Sequence, residues 1–172
     1  MKTLVSYSTL TGNTKMVAKS IFDIIKGEKE LICLNENNNI DTDKFDTVIV
    51  GYWVDKGDID KLAKTFIKSL KNKNLAVFGT LGAEPESDHG KKVSAKVDRF
   101  CAKNNKYSGG FMCQGKVDPK LIEKMKKFPL NIVHPLNPER LARLEEAKKH
   151  PDEYDLKNAQ KYFSKLLYNE DI

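Results

Sequence analysis

Two kinds of segment alternate along the chain. Short apolar runs, which are typical of strands, are followed by stretches in which apolar residues recur every three or four positions, which is typical of helices that face a core. The predicted strands cover residues 2–7, 31–34, 46–52, 75–78 and 107–113, and the predicted helices include 14–26, 60–70, 93–101 and 155–168. This alternation predicts an α/β fold, a doubly wound five-stranded parallel sheet with helices on both faces.

The third strand indicates where a ligand would bind. Val48, Ile49 and Val50 leave this strand without a polar face, so it is predicted to be central and covered on both sides. In doubly wound sheets, ligands bind beyond the carboxyl ends of the strands, near the topological switch point. We therefore expect the functional residues in the loops that follow the strands.

An additional helical segment, at about residues 116–150, separates the fifth strand from the last helix. It contains two helix starts of the same type, Asp118-Pro119 and Asn137-Pro138, in which a capping side chain precedes a proline at the first helical position. No linker or internal repeat interrupts the chain, so residues 1–172 are predicted to form a single domain.

Composition and charge exclude several classes of protein. Hydrophobic residues make up 40% of the 172 residues and charged residues 31%, and these proportions are typical of soluble, globular proteins. The apolar runs are too short to span a bilayer, and the first residues do not resemble a secretory signal, so we expect a cytoplasmic protein. Three widely spaced cysteines without a CxxC pair argue against a disulfide framework or a zinc site.

The net charge of +6 raises the question of nucleic-acid binding. The lysines are mixed with acidic residues along amphipathic segments, and no dense basic block with interleaved aromatic residues is present. This distribution favours a solvated surface. We expect neither a nucleic-acid nor a membrane partner.

The loop after the first strand has the character of an anion site. It reads STLTGNT over residues 8–14 and leads directly into a helix, whose free N–H groups and dipole attract an anion. The loop contains neither GxxxxGK[ST] nor GxGxxG, which disfavours a nucleotide triphosphatase or an ordinary dinucleotide site. Neutral donors around one glycine suit a terminal phosphomonoester. The alternative is an ordinary Ser/Thr-rich helix cap.

The segment TLTGNT matches the pattern [ST]-x-T-G-x-T of flavodoxins, at the position where flavodoxins have it. The resemblance covers the chain up to about Cys113 and resumes in the last helix. It implies a flavodoxin-like fold with a non-covalently bound FMN as cofactor. It further implies that the FMN phosphate is held by Thr9, Leu10, Thr11, Gly12, Asn13 and Thr14. No catalytic residue and no metal ligand is predicted.

In flavodoxins, the loops after the third and fourth long strands flank the flavin ring. The corresponding residues here are Tyr52, Trp53, Val54, Lys56, Gly57, Thr80, Leu81 and Gly82. Trp53, the only tryptophan, would stack on the ring, with ordinary packing as the alternative. Lys56-Gly57 resembles the turn whose peptide rearranges when flavin N5 takes up a proton. The second loop lacks the aromatic residue often found there, so Tyr52, Trp53 or some unusual group is expected to cover the outer ring face.

Several segments of the sequence resemble those of an anaerobe subgroup of flavodoxin-like proteins, some of which occur with bilirubin reductase. They are GYWVDKGD, FGTLGAEPESDHG, CQGKVDPKLIEKM and NPERLARLEEA. The resemblance implies an electron carrier for a flavin or iron–sulfur reductase, with bilirubin reductase as one such partner. We expect a monomer, because no long exposed apolar surface is evident in the sequence.

Two other functions remain open. One is an FMN-dependent NAD(P)H:quinone-type reductase, and the other is a flavin-free regulatory protein. The carrier is favoured over the reductase because no residue set for recognising a nicotinamide nucleotide is evident in the sequence.

Overall fold

A computed structural model describes residues 2–37, 39–127, 132 and 136–170 of the chain. Its sheet consists of five parallel strands in the spatial order β2-β1-β3-β5-β6, with the short β4 paired antiparallel to the end of β3. The strands are β1 (Lys2–Tyr7), β2 (Glu28–Cys33), β3 (Thr47–Asp55), β4 (Asp58–Ile59), β5 (Asn74–Leu81) and β6 (Lys106–Gln114). This arrangement confirms the predicted α/β fold class.

Helices cover both faces of the sheet, and those that pack against it do so through one apolar side. Their bounds are α1 (Asn13–Ile24), α2 (Lys61–Ser69), α3 (Asp88–Cys101), α4 (Pro119–Met125), α5 (Pro138–Ala147) and α6 (Glu153–Tyr168). One core cluster lies between the sheet and α2 with α3, and the other lies between the sheet and α1 with α6. Alternate residues of a strand enter opposite clusters, as Leu4 and Val5 of β1 do.

Both helix starts predicted in the additional segment are confirmed. Asp118 accepts a hydrogen bond from the amide of Lys120 at the start of α4, and Asn137 accepts one from the amide of Arg140 at the start of α5. The part of that segment at residues 128–131 and 133–135 lies outside the described residues. Among the residues that are described, no helix is both long enough and apolar enough to cross a bilayer.

Two strands extend three residues further at their carboxyl ends than the sequence indicates. β3 continues to Asp55 instead of ending at Tyr52, because its last residues pair with β4 in a hairpin. Lys56 and Gly57 form the two-residue turn with φ of 49° and 74°, the left-handed conformation that a tight hairpin turn requires. β5 continues to Leu81, so Thr80 and Leu81 are strand residues and not loop residues as expected.

Candidate functional site

The loop between β1 and α1 leaves the first turn of α1 open. Gly12 occupies the N-cap position with φ of 90°, and no side chain caps the helix. Each of the other helices in the described ranges has a capping side chain that accepts a backbone N–H; these are Asp60, Ser87, Asp118, Asn137 and Asp152. A Cβ built on Gly12 would meet no atom within 4 Å, so space is available above the loop. Open N–H groups, a helix dipole and free space together suit an anion.

Most polar side chains of this loop are bonded to protein groups. The Oγ1 of Thr9 accepts from the amide of Gly12 at 3.1 Å, and the Oγ1 of Thr14 lies 3.0 Å from that of Thr80. The amide of Asn13 donates to the carbonyl of Lys116 at 2.9 Å, and the hydroxyl of Thr11 reaches the same carbonyl at 3.4 Å. The loop side chains thus brace the loop, which leaves the backbone N–H groups as its main free donors.

The hairpin formed by β3 and β4 brings Trp53 to the same edge of the sheet. Trp53 is half-buried and lies opposite Thr80 of β5. Because the Thr80 hydroxyl contacts Thr14, the predicted ring residue Trp53 and the predicted phosphate loop are neighbours. Thr80 lies at the end of β5 and contacts the phosphate loop through Thr14.

The structure corrects the expectation for Tyr52. Its side chain is buried in the cluster between the sheet and α3, where a Cβ on Gly79 would lie 2.5 Å from the tyrosine ring. Burial in this cluster raises the pKa of the Tyr52 phenol. Tyr52 therefore does not cover a ligand at the strand ends. Leu81 is also buried, so its side chain is not free for a ligand, whereas Val54 packs against the same cluster and stays partly exposed.

The tip of the hairpin is exposed but its base is anchored. Lys56 is exposed, and a Cβ on Gly57 would lie 3.6 Å from Cε1 of His89. Asp58 forms ion pairs of 2.7 Å with both Lys64 of α2 and Lys96 of α3. Partial burial acts to raise the pKa of Asp58, but the two lysine hydrogen bonds prevail and lower it to about 2. The turn at Lys56-Gly57 thus projects from a fixed base.

Two further parts of this edge were not predicted as site residues. The first is Asp60, which sequence reasoning placed only at a helix start. Its buried carboxylate contacts Ser8 of the first loop and the amide of Trp53 as well as the first turn of α2. An N-cap signal was available in the sequence, but it does not reveal contacts across the sheet edge.

The second is the loop between β6 and α4. The amide of Gly115 donates to the carbonyl of Leu81 at 2.8 Å, and the amide of Lys116 donates to the carbonyl of His150 at 3.0 Å. A cavity of about 330 Å³ opens next to Thr11 and is lined by Leu10, Thr11, Lys116, Asp118, Pro119 and Lys120. The additional segment therefore forms one wall of the site.

His150 connects this wall to the last helix. Its Nδ1 lies 2.5 Å from a carboxylate oxygen of Asp155, and this hydrogen bond raises the pKa of His150. Asp152 lies within the same cluster, whose potential ligand atoms are within 4.8 Å of one another. The oxygens of Asp152 and Asp155 are engaged in the capping box of α6. The cluster is explained by helix capping without a metal ion.

Comparison with known proteins identifies the family. A model of the flavodoxin domain matches residues 4–164. The chain belongs to the flavodoxin family. A relative from Clostridioides difficile (strain CD3), named flavodoxin-like domain-containing protein BilS, is 37% identical over 175 residues that cover 100% of this chain and 99% of the relative. A protein of the same name from Clostridium symbiosum (strain WAL-14163) is 25% identical over 144 residues, which cover 74% of this chain and 75% of that protein.

Solved structures agree with this flavodoxin architecture. Oxidised flavodoxin 2 from Bacillus cereus superimposes with a TM-score of 0.62 at 15% identity, covering 99% of this chain and 100% of that one. A flavoprotein from Lactobacillus acidophilus NCFM, solved in complex with FMN, gives a TM-score of 0.54 at 20% identity and covers 73% of this chain and 99% of that one. At these identities the likeness concerns the fold.

Proposed function

We propose that this flavodoxin binds FMN at the carboxyl edge of its sheet and carries electrons for a partner reductase. The observation that supports the proposal most is the first turn of α1, which begins at left-handed Gly12 without a capping side chain. Such a helix start holds a phosphate through backbone N–H groups and needs no metal ion. FMN, the cofactor of the flavodoxin family, ends in a phosphate of this kind.

The residues proposed to hold FMN fall into two groups. The phosphate group is proposed to lie against residues 9–14, with backbone N–H groups as the main donors and the hydroxyls of Thr11 and Thr14 beside them. The flavin ring is proposed to lie between the hairpin, with Trp53 and the Lys56-Gly57 turn, and the β5–α3 loop that starts at Gly82. When bound, FMN supplies a redox centre that accepts and releases one or two electrons.

We favour a carrier over an FMN-dependent NAD(P)H:quinone-type reductase because no residue set for recognising a nicotinamide nucleotide is evident in the sequence. Asp58, Asp60 and His150 are each engaged in hydrogen bonds that hold the fold together, and we assign no catalytic role to them.

The partner we propose is a flavin or iron–sulfur reductase, with bilirubin reductase as the first candidate. The support is the resemblance to the anaerobe subgroup together with two relatives named BilS. We propose a cytoplasmic, monomeric, single-domain protein without a nucleic-acid or membrane partner. The three cysteines are free thiols, which agrees with a reducing compartment.

Fluorescence and rapid mixing test the proposal. FMN added to the protein should quench the fluorescence of Trp53, the only tryptophan, and should take on the spectrum of a bound flavin. Anaerobic mixing of the loaded protein with NADPH or NADH should leave the flavin oxidised on a catalytic time scale, and addition of a ferredoxin reductase should then reduce it. Rapid bleaching by NADPH alone would favour the reductase instead.

A further inference from the structure

Asp60 connects three segments that form the site. Its side chain is buried, with 2% of the residue exposed, although it carries a carboxylate. It lies at the point where the end of β1, the hairpin and the start of α2 meet. Burial of a carboxylate is costly unless hydrogen bonds compensate, and here four donors point at it.

The two carboxylate oxygens have separate partners. Oδ1 accepts from the amides of Leu62 and Ala63 at 3.0 and 3.2 Å, which is ordinary helix capping. Oδ2 accepts from the hydroxyl of Ser8 and from the amide of Trp53, the latter at 3.3 Å. Capping of α2 needs only the first oxygen, so the contacts of Oδ2 call for another explanation.

Other helix starts in the described ranges show that capping alone does not require such contacts. Within the described part of the chain, the side chains of Asp118 and Asn137 each accept a bond from an amide of their own helix and bond no other loop. Ser8, by contrast, begins the loop after β1, and Trp53 lies at the end of β3 in the hairpin; these two segments are proposed to hold opposite ends of the ligand. Ser8 is fixed further because its amide donates to the carbonyl of Gly51 at 3.0 Å.

We propose that Asp60 is a positioning residue of the cofactor site, in which Oδ2 fixes the hairpin that carries Trp53 relative to the phosphate loop. This inference rests on the proposed FMN function. Hydrogen bonds to a charged group are stronger than those between neutral groups, so this brace holds both loops before the ligand arrives. Pre-formed loops bind more tightly because less ordering is needed on binding.

The substitution Asp60→Asn separates the two roles. Asparagine is an equally good N-cap through its remaining oxygen, but its NH₂ group cannot accept from the Trp53 amide. We expect the affinity for both FMN and riboflavin to fall by about tenfold, because a hairpin that is no longer held in place must be ordered when the ligand binds. Asp152→Asn, the same change at the N-cap of α6, is the matched control and should leave both affinities unchanged.

Two measurements keep the test independent of activity and of simple misfolding. The near-ultraviolet circular dichroism of Trp53 in the FMN-free protein should change in Asp60→Asn and not in Asp152→Asn. Ser8→Ala should weaken FMN binding in the wild-type background and have little further effect in Asp60→Asn, because the two residues share one bond.

The outcomes separate the two proposals. If the wild-type protein binds no FMN, the proposed function fails, whereas a changed Trp53 signal in FMN-free Asp60→Asn would still support the brace. If the wild-type protein binds FMN and Asp60→Asn binds it equally well with an unchanged Trp53 signal, the positioning role of Asp60 is wrong.

Discussion

Two helices begin at the same edge of the sheet, and they begin in opposite ways. α1 starts at Gly12, which offers no side chain to its free amides, whereas α2 starts at Asp60, whose carboxylate accepts from the amides of Leu62 and Ala63. The first start is open, because no side chain caps its backbone amides. The second is closed, because Asp60 caps it and also bonds Ser8 and the amide of Trp53. The comparison teaches that a helix start that binds a ligand is recognised by backbone N–H groups for which the protein itself supplies no acceptor.

Closing the open start with a negative charge should have the largest effect. Thr11→Asp places a carboxylate beside the first turn of α1, where two like unit charges about 4 Å apart repel by about 4 kcal/mol at an effective dielectric constant of about 20. FMN should then bind more than about a hundredfold more weakly, as measured by calorimetry. Thr11→Asn has nearly the same shape without the charge and is the control. Equal FMN affinity of the two variants would show that no phosphate lies at this turn.

Removing one neutral donor from the same start should have a smaller effect. Thr14→Ala deletes the hydroxyl that lies 3.0 Å from Oγ1 of Thr80. Loss of a bond to a charged phosphate costs about 1.5–3 kcal/mol, so FMN should bind about tenfold to a hundredfold more weakly, while riboflavin should be little affected. Thr14→Ser keeps the hydroxyl and should bind nearly as the wild type does. A similar loss for FMN and riboflavin would assign Thr14 to packing.

The charge around the open start is expected to influence encounter with the partner. Lys116 and Lys120 line the cavity beside Thr11, whereas Lys103 and Lys106 line another cavity between the end of α3 and β6. Reversing Lys116 and Lys120 to Glu should slow electron transfer to an acidic partner several-fold at low salt, and added salt should reduce the difference. The same double reversal at Lys103 and Lys106 changes the net charge equally. If stopped-flow rates fall equally for both pairs, the surface near the site has no special role.

The smallest effect is expected where α6 joins the wall of the site. The bond from Asp155 raises the pKa of His150 above its ordinary 6.5, so the native protein holds this proton more tightly than the unfolded chain does. The stabilisation is full below pH 6.5 and is lost as the pH rises through the raised pKa of the native state. Its size should be below about 1 kcal/mol, since the pair is partly exposed.

Urea unfolding at several pH values measures this contribution. His150→Gln should flatten the decline of the unfolding free energy above pH 6.5. An unchanged decline in His150→Gln would assign the pH dependence to other groups.

The open helix start could be predicted from sequence because it is local. Residues 8–14 are consecutive, and a strand before them with a helix after them fixes their place in the fold. The closed start could be predicted only in part. That Asp60 caps α2 follows from its position, but its contact with Ser8 joins residues 52 positions apart.

The different places of Tyr52 and Trp53 could not be predicted from alternation along β3. Tyr52 shares a face with Val48 and Val50, and Trp53 shares the other face with Ile49, so both faces lead into a core cluster. The burial of Tyr52 depends on tertiary packing against the cluster on its side of the sheet. The wall formed by Lys116 could not be predicted, since Asn13 reaches its carbonyl across 103 positions of the chain.

The central claim is that the open start of α1 binds the phosphate of FMN. The most direct test is the affinity of the wild-type protein for FMN compared with riboflavin, followed in one titration by the fluorescence of Trp53. Several backbone donors act on the charged phosphate, so FMN should bind at least about a hundredfold more tightly than riboflavin. Equal affinities for the two flavins would contradict the account.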